Sequence, residues 1–355
     1  MARHEMAGAI MVGRGKGSRL ERRAGSSACF VIVLSVLAGS PAVAAASAQT
    51  PANTVVLQPA PDIAGVIKGG TLPEIVVRGL KGADDPIWLP DIGLVFTESQ
   101  NNRVVRVGDD DQLTTFVGNL HGPLGMTLDT QGRLISLQTQ PGFAGPRVIW
   151  PAGKEMVIAD SFEGRPFGRP NDIVSDRKGG VYFSDLGPRV TPPGALSPAV
   201  YYVPAGGAPI RVADDILRPN GLQLSRDEKT LYVNDTGGIH AYAFDVGRDG
   251  RLANRRVFAT YLGRDRSISA TEPPVSNADG LAIDQEGRVY ALTEAGIEVV
   301  SPSGEHLGVI PVWCITRRCQ NLAFGGPEKD ILYVAGGGTL VRMQMLARGF
   351  GGRAK

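Results

Sequence analysis

The chain lacks the sequence motifs of several common enzyme classes. It contains no Gly-x-Ser-x-Gly segment, which argues against a serine esterase of the α/β-hydrolase type. No Walker loop is present. Of the four histidines, His121, His240 and His306 lie beyond the first 48 residues, and no two of them have the spacing of a zinc motif. Any hydrolytic chemistry would therefore depend on carboxylates and a bound metal.

A strong excess of charge of one sign is also absent. The 355 residues carry a formal net charge of +2. Six of the 37 bases and two of the 35 acids lie in residues 1–48, so the remainder has 31 bases and 33 acids, a formal net of −2. The basic character belongs to the first 48 residues, and no basic patch elsewhere indicates a nucleic-acid partner.

Residues 1–48 have the order of zones that is typical of a secretory signal peptide. A basic segment is followed by the apolar stretch 28–39 and then by small residues up to Ala48. Twelve apolar residues are short for a membrane span of about 20. Because residues 28–48 carry no charge, an uncleaved anchor stays open as an alternative. We expect an exported protein, periplasmic or secreted, with no membrane association once the leader is removed.

Cysteine is scarce, and its placement agrees with export. Cys29 lies in the leader, which leaves Cys314 and Cys319 in the segment "WCITRRCQ". Two cysteines in an oxidising compartment indicate a disulfide that closes a small loop. Two unpaired thiols are the alternative. A zinc site is disfavoured because it would need two further soft ligands.

Glycine and strand-forming residues are abundant, and they recur in a pattern. The chain has 47 glycines and 25 prolines, and similar segments begin at positions 85, 124, 171, 220, 279 and 321, at intervals of 39 to 59 residues. Each segment is a polar pair, a short apolar strand, a turn and a second strand. Repeats of this length that contain only strands and turns predict an all-β, six-bladed β-propeller. We assign residues 49–74 to an N-terminal extension, 75–346 to the propeller and 347–355 to a C-terminal tail.

Equivalent residues of successive blades meet around the central channel of a propeller. Asn171, Asn220 and Asp279 begin three of the repeated segments, so we expect them at one mouth of the channel. Three oxygen-bearing side chains that converge on an axis suit a hard cation, although a further carboxylate would be needed. The alternative is that these residues only begin turns, since Asn and Asp tolerate the left-handed backbone conformation.

Four motifs in this order and spacing resemble the SMP-30/gluconolactonase/LRE-like family of six-bladed propeller lactonases. They are "RPNDIVSD", "RPNGLQLSRDEKTLYVNDT", "ADGLAIDQEGRVYA" and "QNLAFGGPEKDILYV", and the resemblance covers roughly residues 75–345. It implies one divalent metal at the channel mouth, Ca²⁺ before Zn²⁺, Mn²⁺ or Mg²⁺. The implied ligands are Asp84, Asn171, Asn220 and Asp279.

The sequence departs from the family pattern at two positions, one of which is an implied ligand. Asp84 stands where the family usually has a glutamate two residues before a Pro-x-Trp. Aspartate is one methylene shorter, so the metal would sit lower, bind through water or bind more weakly. Leu124 stands where many bacterial members have an asparagine that helps to shape the pocket.

Two further residues of the "RPND" motif are candidates for the site: Arg169 by the same resemblance, and Asp172 because it follows Asn171. Arg169 matches an arginine that contacts the substrate in some members; the alternative is an exposed arginine in a surface ion pair. Asp172 is interpreted either as a second-shell group that holds Asn171 or as a turn cap. Asp129, Asp176 and Asp284 are expected to cap turns within the blades.

The function implied is metal-dependent opening of a small-molecule lactone ring, possibly a sugar lactone, by a carboxylic-ester hydrolase. The metal would polarise the carbonyl, and Asp279 would activate water. A paraoxonase-type arylesterase or lactonase is one alternative. A non-catalytic periplasmic propeller that binds a ligand or protein around a structural metal is another.

Overall fold

A computed structural model describes residues 57–262, 274–314 and 318–351. The predicted signal peptide, residues 1–48, lies outside the described residues. Residues 51–355 belong to one compact unit. No helix among the described residues is long and apolar enough to cross a membrane.

The described residues form 26 β-strands and one 3-10 helix, Ser99–Asn101. The strands of the first three blades are β2 (Ala83–Leu89), β3 (Gly93–Glu98), β4 (Arg103–Val107), β5 (Leu113–Val117); β6 (Pro123–Leu128), β7 (Leu134–Gln138), β8 (Gly145–Trp150), β9 (Met156–Val157); and β12 (Pro170–Ser175), β13 (Val181–Asp185), β14 (Ala199–Val203), β15 (Ile210–Ala213). The strands of the last three are β16 (Pro219–Leu224), β17 (Thr230–Asp235), β18 (His240–Val246), β19 (Leu252–Thr260); β20 (Leu281–Ile283), β21 (Val289–Thr293), β22 (Gly296–Val300), β23 (His306–Ile310); and β24 (Asn321–Gly325), β25 (Ile331–Gly336), β26 (Thr339–Gln344), β1 (Glu74–Arg78). A small hairpin, β10 (Ser161–Phe162) with β11 (Arg165–Pro166), lies between the second and third blades.

The six sheets close into a ring. The first strands of the blades, β2, β6, β12, β16, β20 and β24, each contact the next, and β24 contacts β2. Strand β1, the first in the chain, pairs with β26 and so completes the last blade. The predicted all-β, six-bladed β-propeller is confirmed.

Within a blade, the innermost strands are the most buried and the outermost strand is the most exposed. The inner strands have neighbouring blades on both faces, whereas the outermost strand faces solvent. All six residues of β16 are buried, whereas most of β19 is exposed. The hydrophobic core lies between adjacent blades. One such cluster joins Tyr182 of the third blade to Leu222 and Val233 of the fourth.

Three aspartates cap the turns between the first and second strands of their blades, as expected. The Oδ1 atom of Asp176 accepts hydrogen bonds from the backbone N–H groups of Lys178 (2.9 Å) and Gly180 (2.8 Å). Asp129 and Asp284 each accept two backbone hydrogen bonds in the same way. These carboxylates fix the hairpins at one end of the channel.

The segments that flank the repeats pack on the propeller. Val66 and Ile67, in the predicted N-terminal extension, are buried in a cluster with residues of the last two blades. Phe350, in the predicted C-terminal tail, is buried against the fifth blade.

Candidate functional site

The predicted metal ligands lie at the same end of the innermost strands. Neighbouring strands in each blade are antiparallel, so all six innermost strands begin at one mouth of the channel, which we call the site mouth. Asp84, Asn171 and Asn220 are the second residues of β2, β12 and β16, and Asp279 lies two residues before β20. The structure thus places the four residues around the site mouth on the first, third, fourth and fifth blades.

The glycines beside these residues are needed for close packing between blades, not for turns. Gly221 and Gly280, which follow Asn220 and Asp279, are not among the residues with positive φ. A Cβ on Gly221 would overlap the carbonyl oxygen of Asp279, and a Cβ on Gly280 would overlap the side chain of Asn321. Asn171, Asn220 and Asp279 are not among the described residues with positive φ either, so the left-handed turn conformation of the alternative is not found at these three positions.

Asn220 presents an unsatisfied oxygen at the site mouth. The residue is 5% exposed, and within the described residues its Oδ1 atom is buried and accepts no hydrogen bond. A buried amide oxygen without a donor costs about 1–3 kcal/mol of folding free energy. A cation at the site mouth would satisfy this oxygen.

Asp279 is fixed through its backbone. Its N–H donates to the carbonyl oxygen of Leu292 (2.9 Å), and its carbonyl oxygen accepts from Asn234 Nδ2 (2.6 Å). Asn234 is fully buried, and its Oδ1 accepts a hydrogen bond from the Tyr261 hydroxyl. The backbone of Asp279, whose side chain is half-buried, is consequently hydrogen-bonded to residues of the fourth and fifth blades.

Asp84 lies at the site mouth and is contacted by a residue of the last blade. Its Oδ1 accepts from the Asp85 backbone N–H (2.8 Å), and its Oδ2 accepts from Gln320 Nε2 (3.2 Å). Gln320 lies one residue before the first pair of the last blade's innermost strand, Asn321 with Ala335, and so stands at the site mouth. The contact with Gln320 therefore directs the Asp84 carboxylate to the site mouth.

Asp85 is directed elsewhere, although the register places it level with Asn171. Its backbone is left-handed (φ 43°), and the side chain is fully buried. One carboxylate oxygen accepts from the Met126 N–H of the second blade, and the other accepts from Asn321 Nδ2 of the last blade (2.7 Å). Asp85 thus joins three innermost strands.

Asp172 has a similar connecting role between the third and fourth blades. It is fully buried, its Oδ1 accepts from the Ile173 N–H (2.8 Å), and its Oδ2 accepts from the Leu222 N–H (3.4 Å). These bonds tie the strand that carries Asn171 to the strand that carries Asn220. Its role as a second-shell group stays a prediction.

Arg169 is half-buried at the rim of the site mouth. Its Nε donates to the Gly187 carbonyl oxygen (3.0 Å), and its backbone N–H donates to Asp185 Oδ1 (2.7 Å). Among the described residues its guanidinium forms no ion pair, so the alternative of a surface ion pair does not hold. Contact of Arg169 with a substrate stays a prediction.

A disulfide lies in the loop that leads to the last blade. Cys314 and Cys319 are joined, with their Cα atoms 5.1 Å apart. Cys319 directly precedes Gln320, which contacts Asp84. In the same loop, Arg318 donates to the Asn277 carbonyl oxygen (2.9 Å), two residues from Asp279.

The donor set of the site mouth is chemically suited to a hard cation. Asp84 and Asp279 supply carboxylates, and Asn171 and Asn220 supply amide oxygens, which are the ligands that calcium prefers. No group of three or more His, Cys, Asp or Glu residues that could hold a metal occurs within the described ranges.

The sequence did not reveal the residues that hydrogen-bond to the candidate ligands. Gln320 and Asn234 belong to segments of the repeat, but nothing in their spacing indicates which side chains face them.

Known proteins with similar sequences or structures include lactone hydrolases. A gluconolactonase of Zymomonas mobilis subsp. mobilis is 23% identical over 92% of this chain and 98% of its own length. The pentonolactonase XacC of Haloferax volcanii is 25% identical over 76% of this chain and 86% of its own length. A solved structure of a Xanthomonas campestris gluconolactonase superposes with a TM-score of 0.68 and 25% identity, over 82% of this chain and 97% of the other.

A family model covers most of the propeller. The model of the SMP-30/gluconolactonase/LRE-like region matches residues 84–337, from the Asp84 position in the first blade to the end of β25 in the last. This range contains all four predicted ligands and Arg169. The chain belongs to the SMP-30/gluconolactonase/LRE-like family.

Proposed function

We propose that the protein hydrolyses small lactones at the site mouth and depends on a divalent cation, with calcium as the first candidate. The unsatisfied, buried Oδ1 of Asn220 is the observation that carries the proposal. The relatives described as gluconolactonase and pentonolactonase support the substrate class. Sugar lactones are therefore the first substrates to test.

Asp84, Asn171, Asn220 and Asp279 would hold the cation. When bound, the cation supplies a Lewis acid that polarises the lactone carbonyl and stabilises negative charge on its oxygen. The backbone bonds of Asp279, and the contact of Asp84 with Gln320, hold the two carboxylates in place beforehand. Prior positioning of this kind lowers the cost of reaching the transition state.

Asp279 is our candidate for the general base. It is the carboxylate among the three repeated positions, and it is half-buried rather than enclosed, so water can reach it. It would accept the proton of the attacking water as the new C–O bond forms. Arg169, anchored through Gly187, would orient ring hydroxyls or the carboxylate that appears on ring opening.

We propose further that the protein is exported to the periplasm or secreted. The leader zones in residues 1–48 and the disulfide between Cys314 and Cys319 both support an oxidising compartment. Mass determination of the exported protein would test the proposal, with an N-terminus at Gln49 expected. An N-terminus within residues 1–27 would favour the uncleaved anchor.

Two other functions make different predictions. A paraoxonase-type enzyme would hydrolyse aryl esters as well as lactones. A non-catalytic binding propeller would be stabilised by the metal and would hydrolyse neither.

The test is hydrolysis of a lactone panel by the mature protein from Gln49. The panel contains glucono-1,5-lactone, a pentono-1,4-lactone and an aryl ester, each with chelator and then with added calcium, zinc or manganese. We expect turnover of the lactones that is lost with chelator and restored by metal. Folded protein that binds calcium and turns over none of the substrates would overturn the lactonase proposal in favour of a binding module.

A further inference from the structure

Two arginines occupy the same position on adjacent blades. Arg169 and Arg218 each begin an Arg-Pro-Asn sequence, two residues before the ring asparagine of their blade. The backbone N–H of Arg169 donates to Asp185 Oδ1 (2.7 Å), and that of Arg218 donates to Asp235 Oδ1 (3.0 Å). Because strands β12 and β16 are neighbours in the ring, both arginines stand at the rim of the site mouth.

A third arginine is carried to this rim by the loop between β13 and β14. The Nε of Arg169 donates to the Gly187 carbonyl oxygen (3.0 Å). A Cβ on Gly168 would lie 2.6 Å from Pro188 N, so this loop packs directly against the residue before Arg169. Arg189 follows at once on that loop.

The carboxylate nearest to Arg169 is engaged by backbone groups. Asp185 is fully buried, and its two oxygens accept from the N–H groups of Gly168 (2.7 Å), Arg169 (2.7 Å) and Gly187 (2.8 Å). Three backbone donors occupy this carboxylate. The Arg169 guanidinium bonds to a neutral carbonyl instead.

The acidic residues just before Arg218 are also engaged by other partners. Asp214 pairs with Arg211 (3.4 Å), and Asp215 pairs with Arg255 (2.5 Å). Arg218 is exposed and has no ion pair in the described part of the chain. Arg189 is exposed and likewise unpaired among those residues.

The three positive charges act on one another. Burial, followed by the charges of Arg189 and then Arg218, lowers the pKa of Arg169, while the charge of Asp185 raises it. The repulsion between these arginines is unfavourable in the free protein, and a bound anion would offset it.

Room for a ligand exists beside this cluster. A cleft of about 610 Å³ is lined by residues that include Gly168 and Pro188, which immediately precede Arg169 and Arg189. Its volume lies within the range of small-molecule sites. The cleft is mostly apolar, so it would hold the body of a ligand rather than its charge.

We propose that Arg169, Arg189 and Arg218 form an anion site, and that the preferred substrate is a lactone with a second, anionic group. Guanidinium groups bind carboxylate and phosphate through paired hydrogen bonds, so the anion is a carboxylate or a phosphate ester. The inference rests on the proposed lactonase function and specifies its substrate class.

Matched substrates test the proposal. We would compare kcat/KM for 6-phospho-glucono-1,5-lactone with that for glucono-1,5-lactone, and kcat/KM for glucaro-1,4-lactone with that for glucono-1,4-lactone. We expect roughly 10-fold or greater preference for the anionic member of at least one pair, since a charged hydrogen bond contributes this much. The pair with the larger preference distinguishes phosphate from carboxylate. The preference should fall as salt is added.

Charge-removing variants locate the effect. Arg218→Gln and Arg189→Gln should each lower the anionic-to-neutral ratio several-fold, and together they should abolish the preference. Arg248→Gln is the matched control, because Arg248 is an exposed arginine of the same blade in the turn between β18 and β19, at the other end of the channel. It should leave the ratio unchanged.

The outcomes separate this inference from the proposed function. Turnover of neutral lactones without preference for either anionic partner would overturn the anion site and leave the lactonase intact. If no lactone is turned over, calorimetry with glucose 6-phosphate, glucuronate and neutral glucose, in chelator, tests the anion site alone. Binding of either anion that is tighter than that of glucose and is weakened by Arg218→Gln would support the site; binding of both anions no tighter than that of glucose would overturn it.

Discussion

The two ends of the central channel use the same residue types in opposite ways. At the end where the first and second strands of the blades are joined, which we call the turn end, Asp129, Asp176 and Asp284 accept backbone hydrogen bonds from their own hairpins. At the site mouth, Asn220 Oδ1 is buried without a donor. These oxygens of the turn end are satisfied by the protein itself, whereas at the site mouth the Asn220 oxygen has no donor among the described residues.

The arginines named at the two ends differ in the same way. At the turn end, Arg133 pairs with Asp129 (2.7 Å) and Arg288 pairs with Asp284 (2.6 Å). At the site mouth, Arg169 bonds to a carbonyl oxygen and Arg218 stands unpaired within the described residues. Polar groups that stabilise the fold have protein partners, and polar groups kept for a ligand do not. This difference supports the proposal that the site mouth is the functional end of the molecule.

The largest expected effect is on activity at the site mouth. Asp279→Ala should lower kcat/KM for a lactone substrate by roughly 10³-fold or more, because the substitution removes both a candidate ligand and the candidate base. The variant should stay folded, since the two backbone hydrogen bonds of residue 279 do not require its side chain. Steady-state kinetics and thermal melting of the same sample check both statements. Retained turnover would mean that another group activates water.

The same substitution at the turn end should have the reverse effect. Asp176→Ala removes two backbone hydrogen bonds and the bond from the Tyr202 hydroxyl (2.7 Å), so we expect a loss of about 3 kcal/mol in the free energy of unfolding. Activity per folded molecule should stay near that of the wild type. Urea unfolding and kinetics at low temperature measure the two quantities. An activity loss as large as that of Asp279→Ala would remove the contrast between the ends.

Lys329, in the turn between β24 and β25, gives a pH-dependent prediction for the turn end. Burial lowers the pKa of its ammonium group from 10.5 to about 8. The folded protein therefore loses this proton before the unfolded chain does, and the stability of the wild type rises between pH 8 and 10.5. Lys329→Met removes the titrating group, together with its hydrogen bond to the Phe324 carbonyl oxygen (3.3 Å). The unfolding free energy of the wild type relative to that of the variant should therefore rise above pH 8; a relative stability that falls there would contradict the assignment.

The smallest expected effect concerns the unsatisfied oxygen itself. Asn220→Leu removes a buried polar group that has no donor, so in chelator we expect a change of about 1 kcal/mol or less in unfolding free energy. Added calcium should raise the melting temperature of the wild type and leave that of the variant unchanged. Equal calcium stabilisation of both proteins would exclude Asn220 as a ligand.

The sequence was sufficient to predict the six-bladed propeller because each repeated hairpin is formed by residues that are close in sequence. Each hairpin of first and second strands lies within about 15 residues, and its turn aspartate is visible from spacing alone. The closing strand β1 was not predicted, because Glu74–Arg78 pairs with β26 some 260 residues away and repeats no motif.

The sequence predicted the candidate ligands of the site but not the residues that hydrogen-bond around them. Asn171, Asn220 and Asp279 stand at repeated positions, so the ring follows from the repeat. The roles of Asp85 and Gln320 depend on strand irregularities: the first blade has a register shift between Asp84 and Ile87, whereas the last blade pairs without one. A one-residue change of register moves a side chain from one face to the other, and composition does not reveal it.

The most direct test of the contrast between the two ends is a calcium titration of chelator-treated protein in which bound calcium and lactone hydrolysis are measured together. We predict that glucono-1,5-lactone hydrolysis above the spontaneous rate rises in proportion to the binding of one calcium ion per chain. Full hydrolysis before any metal is added, or full binding without hydrolysis, would contradict a metal-dependent lactonase at the site mouth.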